Sequence, residues 1–278
     1  MACGIGQRNA IGTRLQGYGR SRAARQRIRP VCGATPFPSI LVIMLPSQPQ
    51  HCRPAAYERF VAQLPELETP AGLLRAAVAV AAHELGAEAS RDVESQLDAF
   101  AGRVLKRVSS ARPSAVLAHV HRVLFEEEGF SGNPGDYYNA RNSYLPAVLE
   151  SKRGIPITLV LIYKCVAEGA GLSVYGVNAP GHFLGEVEMD GRPALIDPFY
   201  GGRMLTREEA VKQIAETTGQ EVAPLAAAVA EADHQDPFFQ RATHRQWIAR
   251  LIRNLRGVYA DTGRQRDVEA MGELFELL

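Results

Sequence analysis

Between residues 54 and 128, apolar positions recur every three or four residues, the period of helices that bury one face. Helix-starting residues cut that stretch into four predicted helices: 54–64, 71–85 opened by Thr69 and Pro70, 91–108 started by Ala89 and Ser90, and 113–128. In the last, Val116, Val120, Val123 and Leu124 share one side. Ser131-Gly132-Asn133-Pro134-Gly135 reads as a loop. Tyr137 and Tyr138 follow it, and either pack the loop on the core or border a pocket.

After Ile155 the pattern changes. Ile157, Leu159, Val160, Leu161, Ile162, Val166 and Ala167 surround a predicted helix on nearly every side, so it should lie at the centre of the fold. Pro156 suits its first position, and Gly169 and Gly171 end it. Three short runs follow, at 173–177, 182–189 and 192–197. Asp190-Gly191 predicts a two-residue hairpin between the last two, and Pro198 ends the return strand. That turn sets Met189 opposite Arg192 and Asp197 opposite Leu184, so His182 becomes the diagonal neighbour of Asp197 on the same face. Diagonal pairs lie about 7–8 Å apart at the backbone, within side-chain reach. Beyond them, Thr206 with Glu208 and Glu209 caps a helix at 206–217, and 221–232 is an Ala-rich helix. Residues 243–261 and 265–278 form a helical hairpin around Asp261-Thr262-Gly263, with Trp247, Leu251, Leu255 and Val258 as its inner stripe. The pattern is that of an α+β fold: an N-terminal helical region, a central helix with a small antiparallel sheet, and a C-terminal helical hairpin.

His182 and Asp197 carry the candidate chemistry. A carboxylate that holds an imidazole in one tautomer is half of a nucleophile–base–orienter site, and is also a common structural pair. The N-terminus of the central helix would suit a thiolate, yet its first turn contains none. Thr158 is the hydroxyl there, expected to bond to the helix backbone. Cys165, about two turns further in, reads as inert packing. Lys152 and Arg153 either recognise an anion at the pocket mouth or form a solvated pair on a turn. Asn142 and Tyr144 could hydrogen-bond near His182, and Ser143 could bring a hydroxyl to it; Asn142 could equally cap the following helix.

Charge changes the picture at one end. The formal net charge is +1, but residues 1–50 hold seven Arg and no acid, which leaves −6 for the remainder and argues against a nucleic-acid role. Residues 1–43 admit three readings: an organelle leader, a nucleic-acid-binding arm, or a start assigned too far upstream of Met44. The apolar run at 40–45 is too short to span a bilayer. Cys3, Cys32, Cys52 and Cys165 are scattered and form no disulfide framework, consistent with a reducing cytoplasm. His119 and His121 point to different faces of a helix, so neither a metal nor another cofactor is expected.

The stretches Asn142-Ser143-Tyr144-Leu145, Arg153-Gly154-Ile155-Pro156-Ile157, Pro180-Gly181-His182-Phe183 and Ile196-Asp197-Pro198 resemble the transglutaminase-like superfamily, and within it the bacterial SirB-type branch. The resemblance implies a papain-like core with a Cys–His–Asp triad. His182 and Asp197 take the last two positions, and the Cys position falls at about Pro156, which has no nucleophile. It implies a pocket bordered by Asn142, Tyr144, Arg153, Pro156, Thr158 and Phe183. It also implies a domain at 54–216, with a helical part at 54–130 and a core at 137–205, followed by a tetratricopeptide-like hairpin at 241–278, of which no second copy is seen and whose truncation is left open. Three functions follow as expectations. The first is a non-catalytic, cytoplasmic protein- or peptide-binding domain, with no membrane partner and its oligomeric state open. The second is a hydrolase of amides or esters with the His182–Asp197 pair as general base. The third is a scaffold whose tail binds the partner.

Overall fold

The computed structural model describes residues 48–189, 191–231 and 238–278. The Arg-rich leader, the apolar run before Pro46 and Asp190 lie outside them, as does the last residue of the Ala-rich segment. Helix α1 (Pro54–Val61) starts on a proline at its first position and is followed by a 3-10 turn at Leu64–Glu66. Helix α2 (Pro70–Leu85) is capped by the Thr69 hydroxyl, which accepts from the Gly72 amide at 3.0 Å. Helix α3 (Val93–Leu105) begins two residues later than its pattern suggests, because Glu88–Ser90 forms a separate 3-10 turn. Helix α4 (Pro113–His121) continues as a π-helical stretch at Arg122–Glu127, a widening that apolar spacing does not reveal.

The predicted loop at 131–135 is partly a strand. Strand β1 (Ser131–Gly132) pairs in parallel with β2 (Arg153–Gly154). Two residues are too few to show a period, so only the folded chain reveals this ladder. Between them comes helix α5 (Leu145–Ser151), closed by Lys152 in the left-handed region at φ 60°. Helix α6 (Pro156–Gly169) follows with Pro156 at its first position, and Ile157, Leu159, Val160, Leu161, Ile162, Val166 and Ala167 are all buried. It packs against α3, α4 and α5 and the sheet, so it forms the centre of the core.

That sheet has the order β3 (Val174–Val177), β4 (Leu184–Met189), β5 (Arg192–Asp197), β6 (Arg203–Leu205), antiparallel throughout. Met189 faces Arg192 and Gly185 faces Ile196, the register set by the hairpin turn. Two details differ from the sequence pattern. Strand β4 starts at Leu184, so His182 and Phe183 belong to the turn before it, where Gly181 adopts φ +67° and the His182 amide donates to Ala179 O. The three-residue strand β6 was not anticipated, again for lack of length.

Helix α7 (Arg207–Thr218) carries a reciprocal capping box between Thr206 and Glu209. Helix α8 (Val222–Glu231) follows. Helices α9 (His244–Asp261) and α10 (Gln265–Phe275) form the C-terminal hairpin. Its apolar face does not stand open. Trp247 is buried against Phe183, with ring centres 4.7 Å apart, and its indole N–H donates to Ile157 O at 3.3 Å. Burying one such side chain is worth roughly 1.5–3 kcal/mol. The architecture is therefore mixed α+β, with a small antiparallel sheet beside a central helix and helical segments before and after it.

Candidate functional site

The site grows from the end of β5. Asp197 is fully buried, and its two oxygens take three donors. Oδ1 accepts the Phe199 amide at 2.9 Å, which caps the Pro198–Tyr200 turn. Oδ2 lies 2.8 Å from His182 Nε2 and also accepts the Gln213 side-chain amide from α7. A carboxylate only accepts, so the proton of a neutral His182 ring sits on Nε2 and Nδ1 carries a lone pair. Among the described residues nothing hydrogen-bonds to Nδ1. Two aromatic rings hold the imidazole in place. Tyr200 stacks on it at 6.3 Å and 24°, and Phe199 meets it edge-on at 6.0 Å and 89°.

The ring contacts lead away from the dyad. Phe199 touches Tyr137 at 6.0 Å, and Tyr137 touches Tyr138 at 5.3 Å. Tyr200 and Tyr138 are 59% and 72% exposed, so the chain of rings opens to solvent at both ends. Tyr137, Tyr138, Ser143 and Ile155 then form one wall of a cleft of about 210 Å³ whose other wall is α9, with Arg253, Asn254 and Asp261. A second hollow of about 400 Å³, lined by Arg203, Glu209, Lys212 and Glu216, lies beyond Tyr200 and Gln213. Desolvation raises the Tyr137 hydroxyl above its ordinary pKa against a smaller opposing pull from Arg250.

Most of the other sequence candidates sit elsewhere. Tyr144 is wholly buried, and its hydroxyl bonds to Glu84 and Tyr259 rather than approaching His182. Asn142 does not cap a helix. Its amide donates to Asp136 O at 2.6 Å and Tyr137 O at 3.2 Å, and its carbonyl accepts from Asn133, so it clamps the tyrosine loop. Arg153 is exposed, and its Nη1 donates to Gly129 O and Lys152 O. Lys152 pairs with Glu128 at 3.0 Å and lies over the Phe130 ring at 4.6 Å. Phe183 is core, under Trp247. Pro156 is buried at the start of α6. Thr158 is buried too, and its hydroxyl has no hydrogen-bond partner among the described residues, contrary to the expected bond to the helix backbone.

Among the described residues no thiol complements the dyad. Cys165 and Cys52 are the described cysteines, and burial pushes each up to about 12, so neither is a thiolate near neutrality. No group of three or more His, Cys, Asp or Glu among the described residues could hold a metal ion. Among those residues no helix is long and apolar enough to cross a membrane. Gln213 and Tyr200 complete the site but carried no signal: one is a polar position on an amphipathic helix, the other an aromatic after a turn.

Relatives repeat part of this chain. The chain is 41% identical to a UPF0162 protein of Xylella fastidiosa (strain 9a5c) over 148 residues, which are 53% of this chain and 50% of that protein. It is 35% identical to the UPF0162 protein of Haemophilus influenzae over 97 residues, covering 34% and 36% of the two chains. It is also 45% identical to mouse F-box only protein 21 over 71 residues, 26% of this chain and 11% of that one. The chain thus spans about half the length of the Xylella protein. No solved structure matches it. Residues 91–253, more than half of the chain and including both members of the dyad, match the model of the transglutaminase-like superfamily. The buried helix, the sheet behind it and the His182–Asp197 pair are accordingly those of a protein that belongs to the transglutaminase-like superfamily.

Proposed function

We propose that this is a SirB-type transglutaminase-like protein that binds a protein or peptide segment in its cleft without reacting with it. The observation that carries this reading is the dyad without a nucleophile: His182 is oriented by Asp197, while the first turn of α6 offers Pro156, Ile157 and an enclosed Thr158. An imidazole whose Nδ1 carries a lone pair can accept a hydrogen bond from a peptide N–H. The exposed tyrosines beside it provide rigid aromatic contact area of the kind that dominates peptide recognition. The C-terminal hairpin supports the reading as a wall of the cleft, so a tetratricopeptide-like role would be that of a partner to the core and not of a separate arm.

The test is a selection of binding peptides from a random displayed library, followed by calorimetric titration and mass spectrometry of the recovered peptide. Peptides bound with micromolar affinity, recovered chemically intact, and bound equally by Pro156→Ala would support the proposal. Cleavage or modification that disappears in His182→Ala would instead establish a hydrolase using the dyad as general base for water. That alternative draws on the free Nδ1. Failure to retain any peptide would remove the binding reading.

A further inference from the structure

Arg253 lines the cleft from α9, and Arg250 lies one turn before it on the same side. Arg250 Nη1 donates to the side-chain carbonyl of Asn178 and to Ala179 O, the carbonyl that also accepts the His182 amide. Its guanidinium lies over the Phe183 ring at 5.5 Å. These contacts use one of its three nitrogens and leave the other N–H groups without a partner among the described residues. Arg253 is exposed on the cleft wall and lies 5.3 Å from the Phe275 ring. Among the described residues no carboxylate forms an ion pair with either arginine. Burial depresses the Arg250 pKa, and the neighbouring charge of Arg253 adds to that effect against the opposing pull of Tyr137. Two like charges one turn apart and partly desolvated are unfavourable alone, and become favourable when a carboxylate bridges them.

We propose that Arg250 and Arg253 form a carboxylate-recognition site between the His182–Asp197 dyad and the tyrosine-lined cleft, and that the cleft's occupant is an acidic peptide segment. This deepens the peptide-binding reading and rests on it. The rest of the cleft favours a peptide over a polyanion. Asp261 lines the same cleft, about 12 Å further along α9 at helical rise, so the site is positive at one end and negative at the other.

The experiment uses the full chain and fluorescence anisotropy with three rhodamine-labelled probes: a Gly/Ser peptide containing four Glu, its Gln counterpart, and a single-stranded oligonucleotide of equal formal charge. Binding of the Glu peptide at least about tenfold tighter than the Gln peptide is expected. Arg253→Gln, on the surface, should weaken the Glu peptide by about tenfold and leave the Gln peptide unchanged. Arg250→Gln should do the same and Arg250→Lys should restore part of the loss, with circular dichroism showing that each variant is folded. Equal binding of Glu and Gln peptides, or no effect of Arg253→Gln, overturns the carboxylate site and leaves peptide binding standing. Binding of neither peptide overturns both. Tighter binding of the oligonucleotide overturns the selectivity for an acidic peptide.

Discussion

Asp197 does three jobs with two oxygens: it orients His182, caps the turn after β5 and anchors Gln213. Removing it strands buried donors, so Asp197→Ala should cost about 1–3 kcal/mol in urea unfolding; a change within error would show that the pair is incidental. Thr158 is the opposite case. Its buried hydroxyl has no partner among the described residues, so Thr158→Val, nearly isosteric, should leave stability unchanged or raise it by about 1 kcal/mol. A marked loss would mean that the hydroxyl has found an acceptor, and would reopen its candidacy as a reacting group. At this scale His182 and Asp197 were legible because a two-residue turn links their positions. Gln213, 16 residues from Asp197, was not, since no short turn fixes how α7 docks; Arg250 was not, since it reaches Ala179 from 71 residues away.

The elements divide along the same line. Helix starts were readable where a proline or a capping residue precedes an apolar period, as at Thr69, Pro113, Pro156, Thr206 and Thr243. Strands β1, β2 and β6 were not, because two or three residues hold no period and exist only through their pairing. The contact between β3 and α9 shows how tightly elements of different kinds are fitted. A Cβ on Gly176 would lie 2.4 Å from the Trp247 ring and 2.7 Å from Phe183. Gly176→Ala should therefore destabilise by about 1–3 kcal/mol through overpacking, read from the thermal midpoint. Unchanged stability would show that α9 can lift away from the sheet, and that the hairpin is more loosely docked than its buried indole indicates.

Across the described residues, a polar cluster ties α2 to the C-terminal hairpin. Glu84 of α2 accepts from Tyr144, Tyr259 and Arg264, and His83 Nε2 lies 2.9 Å from Asp267 of α10. Burial raises the Asp267 carboxyl, but hydrogen bonds from Arg264 and His83 outweigh it and hold the group below its ordinary value of 3.8. A folded-state pKa below the unfolded one adds stability that is complete above the ordinary value and is lost as pH falls through the folded value. Urea midpoints measured from pH 6 downward should decline for the native chain below about pH 4, and decline less for Asp267→Asn. Parallel curves would exclude this cluster as a source of acid sensitivity. What the amino-acid sequence determined by itself was local: the helices and their caps, the hairpin register that brings His182 to Asp197, and the absence of a thiol in the first turn of α6. These follow from period and turn chemistry, which act over a few residues. Only the tertiary structure decided that Tyr144 and Phe183 belong to the core, that Arg153 Nη1 donates to backbone carbonyls, and that Tyr137 and Arg250 approach the dyad through Phe199 and Ala179. Those placements depend on packing between elements that lie apart in the chain, which no local pattern records.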